Sequence, residues 1–284
     1  MIKNLFLGLL FVSLFIILYA IFNLRLSGEI LPNTYFAKQA EYQILYTKPL
    51  VLRYFDLIVV PLTGSGILLL PGFLYSLFCS IKEKNWKLLS AYLWFFGYFF
   101  IYAVRLPATY QHGRYVIPAI PVYLFLALIG VNSIFQSTNH KIKLSLFGYK
   151  VSIIAILVIF FILGGKAYAE DTAIIQSEMV ETAMWINANL PPDAVIAAHD
   201  IGALGFFADR QIIDLAGLIS PEVIPFIRDE DLLSRYLDEK NADYLVIFPG
   251  WYDKLDESKK VIYHTEGGFS PNAGGENMTI FIWD

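Results

Sequence analysis

Five long apolar runs dominate the first part of the chain, and polar residues are concentrated in the segments between them. Each run approaches the roughly 20 residues that an α-helix needs to cross the hydrocarbon core of a bilayer. The runs are Leu5–Phe22, Leu57–Ser80, Leu88–Val104, Val116–Phe135 and Val151–Gly165. The pattern therefore predicts a polytopic α-helical membrane domain over residues 1–165, with a long loop at Asn23–Asp56.

From Lys166 onward the pattern changes to short apolar stretches separated by polar segments. A helical period that includes Met179, Ala183 and Ile186 comes first. Five strands are then predicted from the segments AVIAAH, QIIDLAG, YLVIF, KVIYHTE and MTIFIWD. Strands that alternate with helical or turn segments favour a small α/β domain over residues 166–284.

Composition supports the membrane interpretation, because 57% of the 284 residues are hydrophobic and only 16% are charged. An ordinary soluble domain has a larger share of charged residues. The net charge of -4 argues against a nucleic-acid partner, because such proteins concentrate Lys and Arg to replace phosphate counterions. Membrane lipids are the partners that this composition predicts.

Lysines in short loops predict the orientation. Lys3, the stretch Lys82–Lys87 and the stretch Lys141–Lys150 all fall on one side of the five predicted spans. Short loops rich in Lys and Arg stay in the cytoplasm. The N-terminus is therefore predicted to be cytoplasmic and the α/β domain extracytoplasmic.

Basic and aromatic residues gather in the two predicted extracytoplasmic loops. The stretch GEILPNTYFAKQAEYQ holds Lys38, and the stretch RLPATYQHGRYVIPAIPVY holds Arg105, His112, Arg114 and Tyr115. An arginine beside an apolar phase can bind a lipid phosphate through its fork of donors. The alternative is that these residues only anchor the chain at the membrane interface, as Arg and Tyr do in many membrane proteins.

Charged residues also follow the predicted strands of the α/β domain. Asp200, Arg210 and Asp214 lie at strand ends, where open α/β sheets gather ligand contacts, so they are predicted to line an acceptor cleft. The alternative is an Asp–Arg pair that only joins two loops. The four histidines are dispersed and define no metal site, so no cofactor is assigned and a divalent cation stays open.

The chain contains three stretches in the order LPNTYFAK, GRYVIPAIPVY and HDIGALGFFADRQIIDLAGL. Together they resemble the C-terminal half of polytopic GT-C-type glycosyltransferases. That group includes arabinofuranosyl-, mannosyl- and aminoarabinose-transferring enzymes. The resemblance implies transfer of a sugar from a polyprenyl-phosphate donor to an extracytoplasmic acceptor. It also implies that the α/β domain forms the acceptor side of the site.

The sequence departs from that family where catalysis is expected. Family members carry an acidic residue, often a pair, in the first extracytoplasmic loop, whereas here that loop offers only Glu29, Glu41 and Asp56 in a different pattern. The catalytic residues are therefore left unassigned. The chain is expected to be a truncated frame, a split subunit that needs a missing N-terminal half, or a degenerate homologue. A non-catalytic membrane-anchored module that binds a glycan or a partner is the other function that stays open.

Overall fold

The computed structural model describes residues 2–137 and 143–283. The chain divides into two compact units, residues 42–169 and residues 1–41 together with 170–284. We call the first the helical unit and the second the sheet unit. Lys141, on which part of the predicted orientation depends, lies outside the described residues.

The α-helices up to the middle of the chain are α1 (Ile2–Ser27), α2 (Asn33–Glu41), α3 (Leu50–Ile58), α4 (Gly66–Lys82), α5 (Trp86–Arg105), α6 (Tyr110–Gly113) and α7 (Ile120–Ser137). The later ones are α8 (Lys143–Ile174), α9 (Glu181–Asn189), α10 (Gly202–Phe207), α11 (Glu230–Glu239) and α12 (Phe269–Asn272). The strands are β1 (Val195–Ala198), β2 (Gln211–Asp214), β3 (Tyr244–Ile247), β4 (Val261–His264) and β5 (Thr279–Ile282). Over residues 2–137 and 143–283 the structure is therefore mostly helical, with a small five-stranded sheet.

Among the described residues, four helical stretches are long and apolar enough to cross a membrane. They are Phe6–Ser27, Trp86–Arg105, Ile117–Gln136 and Phe147–Asn189. The first three correspond to predicted runs. The fourth extends far beyond the predicted end at Gly165, because α8 continues through a π-helical segment, Ile175–Val180, into α9. The orientation of these helices stays a prediction.

The second predicted run is broken rather than continuous. The helical stretches Leu50–Leu62 and Gly66–Lys82 meet at an angle of 107° and would count as a fifth span only if they cross together. Pro61 lacks a backbone N–H, and Gly64 adopts a φ of 63° that favours glycine. The predicted loop Asn23–Asp56 contains α2 and most of α3.

Two glycines bring α4 and α7 of the helical unit into main-chain contact. A Cβ atom built on Gly130 would lie 1.8 Å from the carbonyl oxygen of Gly72. Small residues permit this approach between helices in a membrane, where packing rather than water drives association. The buried Tyr123 adds a second link, because its hydroxyl donates to the carbonyl oxygen of Gly66 at 2.7 Å.

The sheet has the strand order β2-β1-β3-β5-β4. Strands β2, β1 and β3 run parallel, whereas β5 is antiparallel to β3 and β4 is antiparallel to β5. Successive residues of a strand point to opposite faces, so Ala197 joins the core with Leu233 of α11. Ile196 joins the other core with Ile186 of α9 and Leu204 of α10.

The short helix α2 belongs to the sheet unit, although the sequence predicted that it lies in a loop of the membrane domain. Ala37 is fully buried, and it lies near the position that a Cβ on Gly217 would occupy. Arg228 donates to the carboxylate of Glu41 at 2.7 Å and also to its backbone carbonyl. These contacts depend on residues far apart in sequence, so the hydrophobic pattern alone does not reveal them.

A buried glutamate joins the π-helical segment to the end of the sheet. Glu178 is fully buried and accepts hydrogen bonds from the hydroxyl of Thr265, the side-chain amide of Asn277 and the backbone N–H of Met278. Its charge therefore has several donors, as a buried carboxylate requires. The side chain of Asn277 also donates to the carbonyl oxygen of Gly267 at 2.8 Å, so it is engaged inside the fold.

Candidate functional site

Three parallel strands, β2, β1 and β3, end at the same edge of the sheet, and polar side chains lie at or after each end. Such edges gather ligand contacts in open α/β sheets. Helix α2 adds Lys38, whose charge influences the pKa values of the acids and of the histidine there. We call the following side chains the carboxyl-edge cluster: Lys38, His199, Asp200, Asp214, Trp251 and Tyr252.

His199 and Tyr252 form an uncharged pair in this cluster. His199 Nδ1 lies 2.8 Å from the hydroxyl oxygen of Tyr252. Burial lowers the pKa of His199 to about 4, and the positive charges of Lys38 and Arg228 act in the same direction. Burial also raises the pKa of Tyr252. At neutral pH the pair therefore offers hydrogen bonds without a charge, since a neutral imidazole carries one donor and one acceptor.

Of the two carboxylates in the cluster, that of Asp200 has an oxygen atom without a hydrogen-bond partner in the described part of the chain. Its Oδ2 atom is buried and has no hydrogen-bond partner among the described residues. Burial raises the pKa of Asp200; the charge of Lys38 opposes this shift, and the charge of Asp214 adds to it. A carboxylate that is buried, perturbed and placed at a strand end is a candidate for acid–base or ligand-binding chemistry.

Asp214 organises the neighbouring loop. It is fully buried and accepts hydrogen bonds from the backbone N–H groups of Ala216, Leu218 and Ile219. Burial raises the pKa of Asp214, although these N–H groups and Lys38 act to lower it. The geometry thus gives Asp214 a positioning task beside Asp200, while its predicted place on the acceptor side stays a prediction.

The structure brings together Lys38, Asp200 and Asp214, but it does not bring Arg210 to them. Arg210 precedes β2, at the end opposite Asp214, and a four-residue strand is about 13 Å long. Its guanidinium donates to the carbonyl oxygens of Asn187 at 3.0 Å and Leu190 at 2.7 Å. Arg210 therefore holds the end of α9, and its hydrogen bonds go to main-chain carbonyls, including that of Asp209, rather than to an aspartate carboxylate.

The other predicted residues lie in the helical unit, at and beyond the end of α5. Arg114 is exposed; its guanidinium donates to the hydroxyl of Tyr115 at 2.8 Å and lies 4.9 Å from the centre of that ring. The carbonyl oxygens of Arg105 and Tyr115 accept hydrogen bonds from Tyr46 and Tyr98, respectively. His112 and the following glycine both have positive φ, 56° and 64°, which turns the chain sharply. These contacts fix the loop and leave the Arg114 side chain at the surface.

An apolar groove of about 480 Å³ opens between α3 and α5 of the helical unit. It is lined by Leu50, Val51, Tyr54, Phe96, Gly97 and Phe100. Arg53 stands on the same helix as the first three; its guanidinium lies 5.3 Å from the centre of the Tyr46 ring, and its Nε is buried with no partner among the described residues. The helical unit thus offers both an apolar surface and a cation with unused hydrogen-bonding capacity.

Sequence reasoning missed His199, Trp251 and Tyr252 as members of the cluster. The last two follow β3 in the segment FPGWYD, where a Pro-Gly pair marks a turn directly after a strand. An aromatic pair at such a turn was the signal that could have identified them. Among the described residues, no group of three or more His, Cys, Asp or Glu side chains could hold a metal ion.

Residues 168–281 match the model of a family described as a domain of unknown function, DUF8728. The match covers the sheet unit from α8 to β5 and includes every member of the carboxyl-edge cluster except Lys38. Searches of curated proteins and of solved structures found no match to the chain.

Proposed function

We propose that this chain is a membrane glycosyltransferase, or the C-terminal part or subunit of one, that transfers a sugar from a polyprenyl-phosphate donor to an extracytoplasmic acceptor. The observation that carries the proposal is the buried Oδ2 of Asp200, which has no partner among the described residues, beside Lys38 and Asp214. The resemblance of LPNTYFAK and HDIGALGFFADRQIIDLAGL to such enzymes supports it independently, since these two stretches supply Lys38 and the two acids.

In the proposed reaction, the acceptor hydroxyl oxygen forms a bond to the anomeric carbon of the donor sugar. The bond between that carbon and the phosphate oxygen breaks, the phosphate keeps the electron pair, and Asp200 takes the hydroxyl proton. A general base is most effective when its pKa approaches the working pH. Burial moves the pKa of Asp200 in that direction.

The donor would be held by the helical unit. Arg114, Arg105, His112 and Tyr115 remain the proposed donor-phosphate residues, because a guanidinium fork matches phosphate oxygens. The apolar groove between α3 and α5 would suit part of a hydrocarbon chain. Lys38, first assigned to the donor phosphate, is better proposed as a positive charge next to Asp200.

The proposal includes an orientation with the N-terminus in the cytoplasm and the sheet unit outside, based on the lysines of the short loops. A reporter that is active only outside the cytoplasm, fused after Asp284, is expected to be active. A fusion between α4 and α5, near Lys84, is expected to be silent. The reverse pattern would contradict the extracytoplasmic acceptor.

The experiment that tests the function measures sugar transfer by the purified full chain from a panel of polyprenyl-phosphate sugars, including arabinose, mannose and aminoarabinose. Asp200→Asn keeps the shape of the side chain but removes the base, so turnover should fall about 100-fold or more. Asp193→Asn, an exposed aspartate before β1, is the matched control and should retain activity. Equal turnover in both variants would exclude Asp200 as the base, and saccharide binding without transfer by the parent would favour a binding module.

A further inference from the structure

Trp251 presents a large apolar surface to solvent and contacts His199 of the carboxyl-edge cluster. Its side chain is 48% exposed. It follows Gly250, whose φ of 80° turns the chain outward after β3. Exposed aromatic surface next to a polar site often marks a place where a ligand binds.

The other tryptophan near a strand end shows what a structural role looks like in this fold. Trp283 is 8% exposed, and its indole N–H donates to Asp238 at 2.8 Å. Lys259 covers its ring at 4.0 Å. Among the described residues, by contrast, no hydrogen-bond partner is found for the indole N–H of Trp251. A buried tryptophan normally satisfies this donor. Trp251 is instead 48% exposed, so its ring surface is open to a ligand.

The position of the Trp251 ring is fixed by its neighbours. Its centre lies 5.1 Å from that of His199, with the two rings at 89°, and 5.1 Å from that of Phe248. His199 is in turn held by the Tyr252 hydroxyl. The ring is therefore held in place before a ligand arrives, which reduces the entropy lost on binding.

We propose that Trp251 is the platform on which the sugar ring of the acceptor stacks, with a hydroxyl of that ring directed to Asp200. A saccharide ring has a face of C–H groups that matches an aromatic surface and a rim of hydroxyls that matches a carboxylate. Both surfaces are present here within one edge of the sheet, because His199, which touches Trp251, is adjacent to Asp200 in β1's terminal loop. The inference rests on the proposed function and assigns Trp251 to acceptor selection rather than to the chemical step.

The consequence is a separation of kinetic effects. Loss of the platform weakens binding of the acceptor, whereas the donor meets different residues. Trp251→Ala should therefore raise the KM for the acceptor about tenfold and leave the KM for the donor unchanged. Trp251→Phe keeps an aromatic face and should raise the acceptor KM only about threefold.

The experiment measures saccharide binding separately from transfer. The full chain in lipid nanodiscs is titrated with short mannosyl and arabinofuranosyl oligosaccharides, and binding is followed by saturation-transfer NMR. Trp251→Ala should weaken binding about tenfold and Trp251→Phe about threefold. Phe269→Ala is the matched control, because Phe269 is another exposed aromatic residue of the sheet unit, 52% exposed, located in α12. Equal thermal unfolding of all variants shows that they are folded.

Each outcome decides one of the two proposals. Binding that depends on Trp251 in a parent chain that transfers no sugar supports the platform and overturns the transferase. Transfer that is insensitive to Trp251, or an altered donor KM with an unchanged acceptor KM, overturns the platform and leaves the transferase intact. No binding of either oligosaccharide by the parent also overturns the platform.

Discussion

The α/β part of the sheet unit, residues 170–284, and helix α8 expose their apolar side chains to very different degrees. In the sheet unit, Leu204, Leu233 and Leu245 are fully buried within two cores of their own. In α8, by contrast, none of the most apolar stretch is buried, and Phe161 is 81% exposed. A soluble monomer does not expose a continuous apolar helix of this length. Residues 170–284 thus bury their apolar side chains within the chain itself, whereas α1 and α8 expose long apolar surfaces of the kind that membrane-crossing helices have.

The two units also differ in what holds their elements together. Hydrophobic burial stabilises the sheet unit, and a buried acid with several donors fixes one end of it. In a lipid phase the helices of the other unit would gain little from burial, and close main-chain packing and tyrosine-to-carbonyl hydrogen bonds would carry more of their association. Substitutions in the sheet unit therefore test burial and buried hydrogen bonds, and substitutions in the helical unit test close packing between helices.

The largest effect is expected at the buried acid of the sheet unit. Glu178→Ala leaves the Thr265 hydroxyl, the Asn277 amide and the Met278 N–H without their acceptor inside the fold. Each unsatisfied buried donor costs about 1–3 kcal/mol, so the free energy of unfolding should fall by about 4 kcal/mol. Denaturant unfolding of the purified chain, followed by near-UV circular dichroism, measures it. Glu266→Ala, at an exposed acid near β4, should change it by less than about 0.5 kcal/mol.

The next effect is expected where the helices touch. Gly130→Ala places a methyl group against the carbonyl of Gly72 and should destabilise the helical unit by about 3 kcal/mol. Gly148→Ala is the control, because a Cβ there meets nothing within 4 Å. Unfolding in mixed detergent micelles, followed by tryptophan fluorescence, compares the two. An unchanged stability of Gly130→Ala would show that α4 and α7 do not depend on main-chain contact.

Local hydrophobic patterns in the sequence predicted most of the helices. They did not predict features that depend on contacts between residues far apart in the sequence. The apolar runs around Leu88–Val104 and Val116–Phe135 indicated helices correctly, because length and hydropathy are local properties. The placement of α2 depends instead on contacts such as Ala37 with Gly217, which periodicity does not record. The break after Leu62 had a visible signal in Pro61 and Gly64, but the uniform hydropathy of the run concealed it.

The same distinction between local patterns and distant contacts applies to the carboxyl-edge cluster. Asp200 and Asp214 end neighbouring parallel strands and so meet at one edge, as the strand pattern indicated. Arg210 precedes β2 rather than following it, and the same parallel arrangement places it at the other edge. Trp251 and Tyr252 lie in a turn that has no alternation of polar and apolar residues, so only the fold brings them to His199.

A smaller effect is expected for the exposed cation of the helical unit. Arg114→Ala removes the fork proposed to bind the donor phosphate and should weaken binding of a polyprenyl-phosphate sugar about 30-fold, or about 2 kcal/mol. Arg114→Lys should restore only part of the affinity, because lysine keeps the charge but not the planar fork. Arg25→Ala in α1 serves as the control at another exposed arginine. Equal affinity of the parent and all three variants would leave Arg114 as an interfacial anchor.

The smallest effect is expected on the pH dependence of stability at Asp200. Burial raises its pKa in the folded state above the unfolded value, so the folded chain binds more protons between these two pKa values. The contribution of Asp200 to stability is therefore full at low pH and is lost as the pH rises through this window. Asp200→Asn removes that loss, so the variant should be slightly more stable than the parent at neutral pH and should show a flatter dependence. Asp214, whose pKa is also raised, keeps part of the dependence of stability on pH in the variant.

Thermal unfolding of parent, Asp200→Asn and Asp193→Asn across the acid range measures how steeply stability depends on pH in each. A slope as steep in Asp200→Asn as in Asp193→Asn would mean that burial of Asp200 costs nothing in the folded chain, and the distinction between its carboxylate and an ordinary surface aspartate would disappear.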